Sequence, residues 1–231
     1  MEKLSVSHIF FDAGGTLVHP RMDRVTEVCA GHGIGLEPGE LEAVEPVVRR
    51  ELDDPEVIAA TNDHQRFILY FGSILRYAGV KNDRDLAAIL EDVYIAHRTQ
   101  NLWGRVPSDV RKALKQLHNA GFKLSVISNA NGTVEKMLEK LELRHFFGHV
   151  LDSGNVGVEK PDPEIFRRAM TLEKTKPHRS LYVGDMYHID GVGAKNAGMH
   201  FALYDPTVSV GLATYQCASL TELPELVTLS D

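Results

Sequence analysis

Cysteine is nearly absent: the 231-residue chain has two, Cys29 and Cys217, far apart and outside any Cys-x-x-Cys pair. That excludes a disulfide framework and a cysteine-based zinc site, and both read as small hydrophobes. Long apolar runs are missing too. None approaches the ~20 residues of a membrane span, and the opening Met1-Glu2-Lys3-Leu4-Ser5 lacks the apolar stretch of a secretory signal. The expected compartment is therefore the cytoplasm, away from any membrane. Internal repeats and low-complexity tracts are also lacking, as is any excess of positive charge. The 25 Lys plus Arg against 32 Asp plus Glu leave a net charge of -7, which opposes binding to nucleic acid or an acidic membrane and accommodates a small substrate more easily.

What is present is a chain 43% hydrophobic, enough to bury a core in one large domain or two smaller ones. Short apolar runs punctuate it: Ile9 to Phe11, Leu124 to Ile127, His149 to Leu151, Leu181 to Val183 and Phe201 to Tyr204 have strand-like length. Several are followed at once by Gly, Asp, Ser or Asn, as buried parallel strands are. Between them, apolar residues recur at helical spacing: Val110, Ala113, Leu114 and Leu117, then Val134, Met137, Leu138 and Leu141, then Ile165, Phe166 and Ala169. Alternating strand and helix predict an α/β fold, a doubly wound Rossmann-like parallel sheet with ligand sites at the carboxyl ends of its strands.

From Val18 to Trp103 the alternation stops, and helix follows helix (Leu41 to Leu52, His64 to Tyr77, Leu86 to Ala96) without a convincing strand. The expected organisation is an α/β core of residues 1–17 and 104–231 with an inserted helical domain of residues 18–103. That insert holds nine basic and fifteen acidic residues, so most of the net charge lies on its helices, which read as solvated faces.

Chemistry concentrates at the predicted strand ends. Asp12 follows the first strand in Phe11-Asp12-Ala13-Gly14-Gly15-Thr16, a candidate nucleophile with glycines that allow close backbone approach to a ligand; turn chemistry alone also accounts for it. Ser128 and Asn129 end the second strand, where a hydroxyl and an amide could hold a phosphoryl oxygen or merely start a loop. Lys160 sits in the proline-stiffened Glu159-Lys160-Pro161-Asp162-Pro163, suited to fixing an ammonium beside anions. Asp185 and Asp190 close Tyr182-Val183-Gly184-Asp185-Met186-Tyr187-His188-Ile189-Asp190; two acids there suit a hard cation such as Mg²⁺, though strand-end and helix-cap roles fit as well.

Taken together and in this order, the segments resemble the signature of the haloacid dehalogenase (HAD) superfamily, in the type with a helical cap inserted after the first strand. The resemblance covers nearly the whole α/β part, Gly132 to Asp162 included. It implies a hydrolase, most simply a phosphatase for a small phosphorylated metabolite. Asp12 would attack phosphorus and form an aspartyl-phosphate. Mg²⁺ would be held by Asp12, the Gly14 carbonyl and the acids Asp185 and Asp190, with Asp190 also orienting water or Lys160 from behind. Ser128 and Lys160 would serve catalysis and, with Gly15 and Asn129, bind the phosphoryl group.

One position departs from the pattern. HAD phosphatases usually carry a second Asp two residues after the nucleophile, acting as general acid and then base; here it is Gly14. Such help is worth about 10²–10⁴-fold, felt most on alkyl phosphates and least on acyl or aryl phosphates. Another group could take over, with His19, His64 and His188 as candidates; the reaction could need no acid; or the protein could bind a phosphometabolite without turnover. A dehalogenase would leave Asp185 and Asp190 no metal to bind, and a phosphonatase-like route needs a cap lysine, where Lys81, the insert's one lysine, lies among polar neighbours. Trp103, Phe67, Tyr70 and Phe71 read as packing of the insert.

Overall fold

Ten strands form in the computed structural model, which describes residues 3–207 and 213–230. They are β1 (Leu4–Val6), β2 (His8–Phe11), β3 (His19–Pro20), β4 (Trp103–Arg105), β5 (Lys123–Ser128), β6 (Val150–Asp152), β7 (Ser180–Gly184), β8 (His200–Tyr204), β9 (Tyr215–Cys217) and β10 (Val227–Leu229). Six pair in the order β6-β5-β2-β7-β8-β9, every pairing parallel, which bears out the predicted α/β sheet. The five strands read from the apolar runs are all in it. Strands β1 and β10 pair separately, as do β3 and β4. The chain divides into two compact units, Met1–His19 with Val106–Asp231, and Pro20–Arg105.

In the first unit β2 and β7 are buried at every residue, the mark of parallel strands covered on both faces. Phe10 and Tyr182 are register neighbours, and both pack into a cluster with Ile165, Phe166, Ala169 and Met170. Asp162 caps the helix bearing those residues, Pro163–Leu172, by accepting the Glu164 N–H at 2.9 Å. The stripe Val110, Ala113, Leu114 and Leu117 is buried along Ser108–Asn119, as its spacing predicts. At the amino end of the sheet His8, 1% exposed, places Nε2 3.1 Å from the Ser125 hydroxyl, which donates to Glu173. Burial pushes the His8 imidazole down to about 4, against the opposing pull of Glu173.

The second unit contains five helices, α1 (Met22–Gly31), α2 (Pro38–Leu52), α3 (Pro55–Ala60), α4 (Asp63–Tyr77) and α5 (Asp83–Gln100). Local chemistry sets their starts: Asp54 accepts the N–H groups of Glu56 and Val57, Asn82 those of Arg84 and Asp85, and Asn62 exchanges bonds with Gln65 in a capping box. Helix α3 and the short strands β3 and β4 are too brief to carry a period; α1, ten residues with Met22, Val25, Thr26 and Cys29 buried at helical spacing, was missed although it carries one. Phe67, Tyr70 and Phe71 pack around Trp103 at ring distances of 6.0, 6.2 and 5.8 Å. No helix among the described residues is long and apolar enough to cross a membrane.

Candidate active site

The site lies at the carboxyl ends of the central strands β5, β2 and β7. Asp12 directly follows β2, and its N–H bonds to the Val183 carbonyl of β7 at 2.9 Å, so the backbone pairing that makes the sheet also sets the nucleophile candidate in place. Its Oδ1 accepts the Ala13 N–H at 2.8 Å and lies 2.8 Å from Lys160 Nζ. Asp185 follows β7, with the Thr16 hydroxyl donating to its Oδ1 at 3.2 Å. Carboxylate oxygens of Asp12, Asp185 and Asp190 lie within 4.8 Å of one another.

Lys160 is 3% exposed and pairs with Asp12 and, at 2.7 Å, with Asp190 Oδ1. A third contact, 2.9 Å, goes to the Tyr182 hydroxyl, which donates to the Ile127 carbonyl at 2.9 Å. Asp190 is fully buried; its second oxygen accepts the Met186 N–H at 3.1 Å. Both its oxygens are thus committed within the protein, and Asp190 sits behind Lys160 as well as beside the other acids.

Two carboxylates pair with one ammonium and a third, Asp185, lies within 4.8 Å of both, an excess of negative charge in a poorly solvated place. Burial and the Asp190 charge push Asp12 up to about 6, with Lys160 holding it lower than it would otherwise be. Burial alone would lower the Lys160 ammonium, but Asp12 and Asp190 outweigh it and hold the group above the ordinary lysine range. Burial, then the charge of Asp190, drives the Tyr182 phenol well above its usual value. The donor set is all oxygen and carries surplus negative charge, which fits a hard divalent cation such as Mg²⁺.

Two residues expected at the phosphoryl group also have partners within the protein. The Asn129 Oδ1 accepts the Lys160 N–H at 2.8 Å and its Nδ2 donates to the Lys160 carbonyl at 2.9 Å, clamping the lysine's backbone. The Gly15 N–H goes to the Val18 carbonyl at 2.9 Å. Glycine is needed there because φ is +78° and a Cβ would collide with the Asp185 carboxylate. Ser128 is buried at the end of β5, and its hydroxyl makes no hydrogen bond among the described residues. Gly14 forms a bridge with Val18 and offers only backbone.

Of the histidines considered, His64 is exposed and meets Tyr94 edge-on, His19 is buried against Tyr204, and His188 meets Tyr187. Lys81 is exposed, its carbonyl accepting from Arg76. Residues the sequence did not single out are Tyr182, Thr16 and Asp152. Asp152 is 2% exposed and accepts the N–H groups of Gly132, Val134 and Gly154, shaping the loop after Asn129. A tyrosine in a wholly buried strand was the available signal, since its hydroxyl must find a partner.

Comparison with known proteins agrees with this architecture. A protein-family model described as haloacid dehalogenase-like hydrolase matches residues 60–204. Haloacid dehalogenase-like hydrolase domain-containing protein 3 of Xenopus laevis is 33% identical over 131 residues, 57% of this chain and 53% of that protein. The match thus spans about half the length of that relative. Glyceraldehyde 3-phosphate phosphatase of Pyrococcus furiosus is 34% identical over 168 residues, 70% of this chain and 68% of that protein. A magnesium-bound HAD-hydrolase of Bacillus subtilis superposes with a TM-score of 0.69 at 17% identity, covering 97% of this chain and 100% of that one, a likeness of fold.

Proposed function

The chain belongs to the haloacid dehalogenase-like hydrolase family, and from that premise we propose that it is a Mg²⁺-dependent phosphohydrolase of a small phosphorylated metabolite, with Asp12 as nucleophile. The observation that carries this is the buried Lys160 between Asp12 and Asp190, beside Asp185, at the ends of adjacent parallel strands. A charge pattern so costly to fold has its use where an anion and a cation are bound together.

Asp12, Asp185 and the Gly14 carbonyl would hold the ion, with Asp190 joining through its charge. Bound there, Mg²⁺ supplies charge neutralisation that lets a carboxylate approach a phosphoryl group. The Asp12 carboxylate forms a bond to phosphorus as the bond to the leaving oxygen breaks. Water then attacks the aspartyl-phosphate, releasing orthophosphate and restoring the carboxylate. The Ser128 hydroxyl and the Lys160 ammonium hold charge on the phosphoryl oxygens.

The leaving oxygen's proton is the weak point. Around Asp12, Lys160 is held as an ammonium by two carboxylates and the Tyr182 phenol is held in its neutral form by burial and the charge of Asp190, so neither gives up its proton readily at neutral pH. Gly14 has nothing to give. The reading therefore favours acyl and aryl phosphates, whose leaving groups depart as anions. The name of the Pyrococcus furiosus relative makes glyceraldehyde 3-phosphate the alkyl phosphate to set against them. Phosphate release from acetyl phosphate, p-nitrophenyl phosphate and glyceraldehyde 3-phosphate, with and without Mg²⁺, tests the proposal. Turnover should need Mg²⁺ and vanish in Asp12→Asn; release that persists in Asp12→Asn would refute it.

A further inference from the structure

We propose that Tyr182 is a positioning residue, its hydroxyl fixing the Lys160 ammonium between Asp12 and Asp190 for the reaction. This rests on the phosphohydrolase reading above. An ammonium has three N–H bonds, and three acceptors surround Lys160 Nζ: Asp190 Oδ1 at 2.7 Å, Asp12 Oδ1 at 2.8 Å and Tyr182 Oη at 2.9 Å. Two are charged and also draw the ammonium toward themselves. The third is neutral, and its single phenolic proton has acceptors other than the lysine, the Ile127 carbonyl at 2.9 Å and Asp190 Oδ1 at 3.3 Å. With the proton on either one, a lone pair faces the lysine.

The phenol cannot readily turn away. Tyr182 is 0% exposed and meets the edge of Phe166 at a ring distance of 5.0 Å. Lysine is a point charge on a flexible four-carbon stem. With two acceptors it could swing about the line joining them, whereas a third acceptor off that line defines one position. The same hydroxyl ties together the strand ends that bear the other site groups: Ile127 immediately precedes Ser128 on β5, and Tyr182 lies three residues before Asp185 on β7. One oxygen thus registers lysine, hydroxyl and metal-holding carboxylate against each other. Phenylalanine would keep the ring and lose the hydroxyl's bonds to Lys160 and Ile127.

The test is steady-state turnover of acetyl phosphate in saturating Mg²⁺ by the whole chain, its Tyr182→Phe variant and Phe166→Leu, with folded fraction checked by circular dichroism. Tyr182→Phe should lower kcat roughly tenfold to a hundredfold, the worth of one hydrogen bond to a charged group, with KM within about threefold on that same reasoning. Phe166→Leu loosens the packing around the ring but leaves the hydroxyl, and its kcat should stay within about threefold. An unchanged kcat in Tyr182→Phe, or an equal fall in Phe166→Leu, would overturn the positioning role alone. Absence of turnover in the unaltered protein would overturn the phosphohydrolase reading, and this inference with it.

Discussion

Gly15→Ala offers a way to move one carboxylate without changing any charge. Gly15 sits at φ +78°, and an added Cβ would fall against the Asp185 carboxylate, within 2.7 Å of its carbon. Gly157, in the same unit, has φ +70° and no atom within 4 Å of a Cβ, so Gly157→Ala carries the left-handed backbone cost alone, about 1–2 kcal/mol. Gly15→Ala adds displacement of Asp185 and loss of its bond from Thr16, roughly 1.5–3 kcal/mol for a hydrogen bond to a charged group. In the metal-free protein part of that is returned, because Asp185 moves away from Asp12 and Asp190. Unfolding by urea in EDTA should therefore separate the two variants by only about 1 kcal/mol. Mg²⁺ changes the comparison. At a hundred times its Kd a ligand stabilises the native state by about 2.7 kcal/mol, which the unaltered protein and Gly157→Ala should gain and Gly15→Ala should not. Phosphate release should fall by at least about a hundredfold in Gly15→Ala, the scale of a lost electrostatic contact to reacting charge. If Gly15→Ala gains as much from Mg²⁺ as the unaltered protein, Asp185 does not hold the ion and the proposed metal site is wrong.

Asp12→Asn should raise stability at pH 7 in metal-free buffer while abolishing turnover. An ionised Asp12 whose folded value is about 6 against 3.8 ordinarily opposes folding by about 1–3 kcal/mol; a loss of stability in chemical unfolding would contradict that. Lys160→Met should cost about 3–5 kcal/mol, because it leaves buried carboxylates without their cation, and Mg²⁺ should restore part of it; a thermal unfolding midpoint equal to that of the parent protein would argue against the buried ion pairs. His8 has its folded value near 4 against 6.5 unfolded. Its contribution is therefore whole above pH 6.5 and lost as pH falls toward 4, up to about 3 kcal/mol. Asp12 works in the opposite sense over pH 3.8 to 6, so the measurement is the difference between the parent and His8→Gln in unfolding free energy from pH 7.5 to 4.5. That difference should shrink on acidification, and a constant one would show that His8 protonates as easily folded as unfolded.

The sheet was legible because its strands are long enough and apolar enough to stand out. Ile9 to Phe11 and Leu181 to Val183 are buried on both faces, so they read as unbroken apolar runs between turn residues. Strands β3, β4, β9 and β10, of two or three residues, carry no apolar run like that of the equally short β6, and only pairing with distant segments defines them. Asp12 and Asp185 were legible at predicted strand ends, which parallel topology sends to one edge, whereas Lys160 in its loop and Asp190 joined the candidate set through the resemblance to the superfamily signature. What the pattern could not reveal was how hydrogen bonds divide among them. Asn129 and Gly15 stand where ligand contacts were expected, yet the first clamps the Lys160 backbone and the second is fixed by φ and by Asp185. A residue type names the bonds it can make; the neighbours decide which are made.

Tyr182 shows how charge balance links those choices to function. A fully buried phenol ordinarily needs one partner, and the Ile127 carbonyl would suffice. In the proposed function its contact with Lys160 has a use because that lysine stands between two carboxylates, Asp12, which would be the attacking group, and Asp190, which with Asp12 holds the lysine as an ammonium. Burial and the charge of Asp190 push Asp12 up, and Asp185, with an oxygen within 4.8 Å of both, adds a third negative charge to the metal-free arrangement. In the proposed function a bound divalent cation would relieve the repulsion between these charges, and Lys160 would share its protons with a phosphoryl oxygen. The absent acid at Gly14 fits the same balance, since a fourth carboxyl at this edge would be forced to remain protonated to coexist with three others. Introducing one by Gly14→Asp should therefore yield a group of raised pKa, and the expected outcome is faster release from glyceraldehyde 3-phosphate with little change for acetyl phosphate. An equal effect on both substrates would mean that leaving-group protonation is not what Gly14 withholds.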